Sequence, residues 1–335
     1  MERIDRAMKR HTTQLMQLPN VVGVGKGRKM VRGEETEDLA VVVLVEKKMP
    51  EKELLRGQRI PKTLGQVPTD VIEIGEVRLL NRKSFQRPAH PGVSIGHYKV
   101  TAGTFGAVVR DRRSGMPLIL SNNHVLANAT DGRDGRAKLG DPILQPGSHD
   151  GGSMEQVIGY LERFIPLWKE YTTTECKAAR AAERLGNRAL QLIRPNYRLN
   201  LEKRFIGENP VDAAVARPIN PEAISPEIIG IGLVKGVTEV KPGMAVQKSG
   251  RTTGLNSATV RTVQTTLKVS VTDNDDAIFT DQFVTTVMSQ GGDSGSLVLD
   301  NQNNAVGLLF AGSSSSTICN RIQNVMELLQ IDVYF

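Results

Sequence analysis

From Gly92 to the C-terminus the chain is a succession of short β-rich runs broken by Gly, Asn and Asp, and this pattern limits the fold more than any other feature. Runs such as Thr104–Arg110, Leu118–Ser121, Ile158–Ile165, Val211–Ala216, Ser296–Leu299 and Ala305–Ala311 have strand length and strand composition. Many short strands at this spacing predict a mainly β domain, a sandwich or barrels. The longest apolar runs, Leu39–Val45 and Ala305–Gly312, reach seven and eight residues. A membrane-spanning helix needs about 20, so none is expected. With 39% hydrophobic and 24% charged residues the composition is that of a globular protein.

The first 80 residues differ in character. Ile4, Met8, Leu15 and Leu18 recur at near-helical spacing up to Pro19-Asn20. Val21–Met30 and Leu39–Val45 flank the acidic stretch GEETED and read as a hairpin. A short helix is expected over Glu51–Gly57, and a third strand over Asp70–Leu80, where Val71, Ile72, Ile74 and Val77 alternate with polar residues. Residues 1–80 therefore read as a small α+β accessory domain. Asn81–Pro91 (NRKSFQRPAHP) has linker composition and is a candidate for self-cleavage. One helical insertion, Thr172–Ile193, interrupts the β region. Ala178, Ala182, Leu185, Ala189 and Leu192 share a face, and Thr172 with Glu175 forms a capping box.

The net charge of +7 lies mostly at the front. Residues 1–90 hold 18 Lys and Arg against 12 Asp and Glu, and residues 91–335 hold 25 against 24. The basic residues are interleaved with acids, so a solvated face is expected and nucleic acid is not. The start, MERIDRAMKRHTTQ, lacks the apolar core of a secretory signal, and two cysteines cannot make a multi-bridge scaffold. A cytoplasmic location is the expectation.

Three segments carry chemistry. Gly291-Gly-Asp-Ser294-Gly-Ser296 precedes the apolar strand Leu297–Leu299. A serine hydroxyl attacks only when a base takes its proton and donors receive the oxyanion. The flanking glycines permit a sharp turn that aims the N–H groups of Gly292 and Ser294 at one oxygen. Pro117–Ser121 runs through Asn122-Asn123 into His124, and Val211-Asp212-Ala-Ala-Val-Ala216 places a carboxylate at the head of a strand of small apolar residues. A buried carboxylate needs a partner, and an imidazole N–H supplies one.

In the order His124, Asp212, Ser294, these segments resemble the motifs of the trypsin/chymotrypsin-like serine peptidases over roughly residues 92–335. The resemblance implies a double β-barrel, 92–225 and 226–335, the first with the helical insertion near 172–194 and the second with a C-terminal helix. It implies His124 as general base, Asp212 as its orienter, Ser294 as nucleophile, and Gly292 and Ser294 as the oxyanion hole. It places Met288 at the base of the specificity pocket and Phe310-Ala311-Gly312 on the strand that binds the substrate backbone, so a small or medium apolar residue is expected before the scissile bond. Val125 stands where the family has a cysteine. Asp293, which in trypsins pairs with a newly cut N-terminus, is preceded here by some 90 residues before the barrel. With Gln247-Lys-Ser-Gly-Arg-Thr-Thr-Gly254, read as a barrel turn, and GDPILQPG, the chain is similar to bacterial trypsin-like proteins and plant narrow-leaf proteases.

The activity implied is that of a serine endopeptidase acting on proteins or peptides. The alternative is a non-catalytic or tightly regulated protein-binding scaffold on the same fold. The N-terminal domain is expected to bind a protein partner or regulate the peptidase, an oligomer stays open, and no membrane partner is expected. No cofactor or metal is expected either. Gly23-Val-Gly25-Lys-Gly27 lacks the ending of a phosphate loop, Asp273, Asp275, Asp276 and Asp281 lack an EF-hand pattern, and Cys176 and Cys319 lack zinc-ligand spacing. His149-Asp150 reads as loop chemistry.

Overall fold

The computed structural model describes residues 2–31, 34–50, 52–75, 81–100, 102–173, 176–204, 207–272 and 275–333. The chain forms two compact units, Met1–Leu80 and Asn81–Phe335.

In the first unit the helix Glu2–Met16 is followed by the strands Val21–Val31 and Glu34–Val45, which pair antiparallel. The strand Val67–Glu73 lies parallel to Glu34–Val45 and carries the short strand Thr63–Leu64 on its other edge. Ile4 and Leu15 from the helix bury against Val41, Val43 and Val45, the alternate positions that one face of a strand presents. Three boundaries differ from expectation. The acids Glu34–Asp38 belong to a strand, because backbone pairing across the hairpin continues to Val31–Glu34. The expected helix over 51–57 is a single 3-10 turn at Arg56–Gln58, and Glu51 is outside the described residues. The third strand begins at Val67, ahead of the expected Asp70, and Val77 is outside the described residues.

The second unit is two β-barrels. In the first, the strands pair in the order Ser94–His97, Pro142–Leu144, Val157–Phe164, Ala214–Pro218, Pro117–Ser121, Ala107–Asp111. The circuit closes because the last strand continues back through Gly103–Thr104, which pairs with Ser94–Ile95, and Phe105 N–H donates to Val93. In the second, Ala245–Gly250, Gly254–Thr272, Asp275–Thr286, Ser316–Arg321, Asn304–Gly312 and Leu297–Asp300 close directly on one another. Closure removes the edges along which β-proteins aggregate.

The strands facing the other barrel are buried on both sides. Ile119, Ala214 and Ala216 point into the first barrel, while Leu118, Leu120, Ala213 and Val215 enter the core between the barrels. Val298 points into the second barrel, and Leu297 and Leu299 join that same shared core. Burial of both faces makes PLIL, AAVA and LVL continuous apolar runs instead of alternating ones. The three chemistry-bearing segments of the sequence are the ends of these strands.

Three expectations are corrected here. Asn81–Pro91 is not a linker: Arg82 donates to Ser249 Oγ (2.7 Å), Gln86 N–H to Gln145 Oε1 (2.9 Å) and Arg87 to the same oxygen (2.6 Å), and Ala89 N–H bonds Ala223. The inserted helix is Lys177–Ile193. Thr172 lies in the strand Tyr171–Thr173, paired with Glu202–Arg204, and the residue at the head of the helix is Cys176; Glu175 is outside the described residues. After the helix Ile322–Leu329 the chain leaves the second barrel, and Ile331–Val333 pairs with Val109–Asp111 of the first. Among the expected acids, Asp275 and Asp276 pair with Lys169 and Lys268 and Asp281 with Arg321, while Asp273 is outside the described residues.

Candidate active site

His124 sits in the short helix Asn123–Leu126 that follows the strand Pro117–Ser121. Its Nδ1–H donates to Asp212 Oδ2 at 2.5 Å, and its backbone N–H reaches Asp212 Oδ1 at 3.2 Å. The Asp212 side chain is buried and the imidazole is about one-third exposed. Asp212 is held by its backbone as well. Asn122 Nδ2 donates to its carbonyl (2.7 Å), and the buried Asn320 of the second barrel accepts from its N–H (2.9 Å) and donates to its carbonyl (3.2 Å). Burial works to lower the His124 pKa; the Asp212 charge and hydrogen bond outweigh it and leave the pKa above its ordinary value.

Ser294 lies between two left-handed glycines, Gly292 at φ +94° and Gly295 at φ +93°. Neither position has room for a side chain. A Cβ on Gly292 would stand 2.3 Å from Arg251 Nη1, and one on Gly295 2.0 Å from Ser121 Oγ. The turn is tied to the first barrel through Thr104, whose N–H donates to the Ser294 carbonyl (2.8 Å) and whose hydroxyl donates to the Gly292 carbonyl (2.9 Å). Among the described hydrogen bonds, the Ser294 hydroxyl donates to the Phe310 carbonyl at 3.3 Å, and none joins it to His124. The N–H groups of Gly292 and Ser294 have no backbone acceptor among those bonds.

Asp293 is fully buried and faces an internal cation. Lys248 Nζ lies 3.1 Å from Asp293 Oδ2, with both side chains sealed from solvent. The same carboxylate accepts from the N–H groups of Thr252 (2.8 Å), Thr253 (3.1 Å) and Gln290 (3.0 Å) and from the Thr253 hydroxyl (2.7 Å). Burial would raise the Asp293 pKa; the Lys248 charge and these donors hold it below the ordinary carboxylate range. Beside it, Asp150 takes two 2.5 Å bonds from Arg251, the side chain that stands over Gly292. The sequence KSGRTTG is thus more than a barrel turn, and His149-Asp150 supplies one of its anchors.

The strand Asn304–Gly312 completes the cleft. Its neighbour Leu297–Asp300 pairs only as far as Leu308, so Phe310–Gly312 is laddered on one side alone, to residues 317–318. One cavity, of about 680 Å³, contains Ser294, Met288, Ser289, Ala311 and Gly312 in its wall. A second, of about 400 Å³, contains His124, Asp212, Val271, Phe279 and Phe310, and shares Ala311 and Gly312 with the first. Of the expected site residues, Ser294 and Met288 line the first cavity, His124, Asp212 and Phe310 the second, and Ala311 and Gly312 both, while Gly292 lines neither; Met288 is buried in the second barrel core and Phe310 packs on Phe279.

The chain is similar in fold to chymotrypsin-like serine proteases. Among solved structures, Thermobifida fusca protease A is 16% identical, with 73% of this chain and 98% of that one covered and a TM-score of 0.46. Nocardiopsis protease is 15% identical over 74% and 100%, TM-score 0.47, and Cellulomonas bogoriensis chymotrypsin 15% identical over 73% and 97%, TM-score 0.44. No family model and no curated protein matches the chain. Lys248, Asn122 and Asn320 are the neighbours of the candidate residues that sequence reasoning missed. Lys248 had a signal, a lysine two residues before the Gly-Arg-Thr-Thr-Gly turn. The two asparagines had none, since a buried amide that braces a backbone looks like any other polar residue.

Proposed function

We propose that the protein is a serine endopeptidase whose nucleophile is Ser294, activated by His124 and Asp212. The observation that carries this reading is the buried Asp212 carboxylate on His124 Nδ1, in a cavity that shares Ala311 and Gly312 with the one lined by Ser294, a serine on a glycine-framed turn. In this mechanism the Ser294 hydroxyl leaves Phe310 and donates to Nε2, the ring nitrogen that Asp212 leaves unprotonated. His124 takes the hydroxyl proton as Oγ bonds the substrate carbonyl carbon, and Asp212 stabilises the imidazolium. The N–H groups of Gly292 and Ser294 receive the oxyanion. His124 returns the proton to the leaving amine, and water repeats the sequence on the acyl-enzyme. The one-sided strand Phe310–Gly312 takes the substrate backbone as an added strand. Lys248 supplies the cation for Asp293, so cleavage to free an N-terminus is not required.

The test is labelling of the full chain by a fluorophosphonate probe. Wild type labels and Ser294→Ala does not, and peptide turnover falls on the order of 10⁶-fold, by analogy with measured triads. A second reading, a binding scaffold without turnover, is favoured by the hydroxyl bonded to Phe310 instead of His124. Folded wild type that never labels at neutral pH decides for the scaffold.

A further inference from the structure

The inserted helix Lys177–Ile193 has no buried residue. One flank is covered by the chain's own return: Asn187 exchanges two hydrogen bonds with Leu199 (2.8 and 2.7 Å), and Leu201 N–H donates to Glu183 (3.3 Å). Among the described residues nothing covers the other flank. Ala178, Ala182, Leu185, Ala189, Leu192 and Ile193 recur at helical spacing on it. Leu185, Leu192 and Ile193 are 65, 88 and 78% exposed. Placing such residues in water is unfavourable unless something covers them.

The charge beside this face is one-sided. Lys177, Arg180, Arg184 and Arg188 follow one another at three- and four-residue intervals along it. Residues 177–204 hold eight Lys and Arg against two Glu, a net +6. The near-neutrality of residues 91–335 conceals this, because the remainder of that region holds 17 Lys and Arg against 22 Asp and Glu. A helix of this length is about 26 Å long, with an apolar side, a basic side and low overall hydrophobicity, the pattern of a helix that lies in a lipid interface.

We propose that this insertion is a peripheral docking surface for an anionic lipid bilayer. Leucines and isoleucine enter the acyl boundary, and the arginine row meets headgroup phosphates. A second copy of the chain would set two segments of +6 against each other. A nucleic acid would engage the arginines and leave the leucines in water. An anionic bilayer matches both faces at once. The contact is peripheral, since no helix among the described residues is long and apolar enough to cross a membrane.

The test is co-sedimentation of the full chain with extruded vesicles at about 0.1 M salt, where exposed charges still act over about 10 Å. Vesicles of equal phosphatidylcholine and phosphatidylglycerol are expected to carry the protein down, and pure phosphatidylcholine to carry at least about tenfold less. Arg184→Gln with Arg188→Gln should weaken anionic-vesicle binding by roughly 25-fold, about fivefold per cation near the surface. Leu185→Glu with Leu192→Glu should abolish it without shifting the thermal melt, because both side chains already face water. No sedimentation of wild type with anionic vesicles overturns the proposal, as does equal binding by the variants. Dimers that form without vesicles and vanish in the leucine variant also overturn it, in favour of a second copy. Duplex DNA bound equally by wild type and the leucine variant, and displacing the vesicles, overturns it in favour of nucleic acid.

Discussion

Replacing Lys248 by methionine leaves the Asp293 carboxylate buried without its cation. The two groups stand 3.1 Å apart and are both sealed from solvent. At an effective dielectric constant of 20 their attraction is about 5 kcal/mol, and breaking one side of a buried pair costs about 3–5 kcal/mol. Asp293 keeps four other donors, from Thr252, Thr253 and Gln290, which places the expected loss near the lower end, about 3 kcal/mol. For a unit of this size that lowers Tm by about 6–12 °C. Urea denaturation of Lys248→Met, Asp293→Asn and the double variant measures it. The double variant should recover at least half the loss, because neither charge is then buried alone. The Asp293 pKa is depressed, so its contribution is complete above the ordinary carboxylate range and is lost only as pH falls through the lowered value. A Lys248→Met protein within about 0.5 kcal/mol of wild type, or no coupling in the cycle, refutes the reasoning. Should Lys248→Met fail to fold, a folded double variant still reports the coupling.

Probe labelling should fall on acidification as His124 gains its proton, with a midpoint above the ordinary histidine value. In Asp212→Asn the rate should drop roughly 10⁴-fold, and the midpoint should move down, since burial then acts on His124 without the opposing charge. An unmoved midpoint removes Asp212 from the mechanism. Gly292→Ala should lose roughly 10²–10³ in turnover, because its Cβ collides with an Arg251 pinned by Asp150; turnover near wild type shows that this N–H is not used. The residues around the 680 Å³ cavity, among them Val287, Ser289, Gln290 and Ser313, carry no charge. A peptide library should therefore return an uncharged residue before the scissile bond, and selection for Lys, Arg, Asp or Glu there contradicts this assignment of the pocket.

A mainly β fold and the three segments of the candidate site were legible in the chain because both arise from local demands; the strand pattern alone left a sandwich open, and the double barrel was what the resemblance implied. A strand buried on two faces must be apolar throughout, so PLIL, VDAAVA and SLVL announce themselves, and a serine on a left-handed turn must have glycine beside it. Element boundaries were less legible. Nothing in GEETED shows that backbone pairing continues through it, and nothing in NRKSFQRPAHP shows that Arg82 and Arg87 are bound by Ser249 and Gln145, residues far away in the chain.

Residue type and spacing carry the chemistry a side chain can do: His124 as a base, Asp212 as an anion in need of a partner, Ser294 as a nucleophile on a tight turn. Partnership is set by long-range closure, which no local pattern encodes. Lys248 meets Asp293 because two strands of one barrel pair, and Asn320 meets Asp212 because the barrels pack on each other. Whether the apolar side of the inserted helix is core or surface was undecidable from its periodicity, since burial depends on what the rest of the chain lays against it; the fold leaves Leu185 and Leu192 in water.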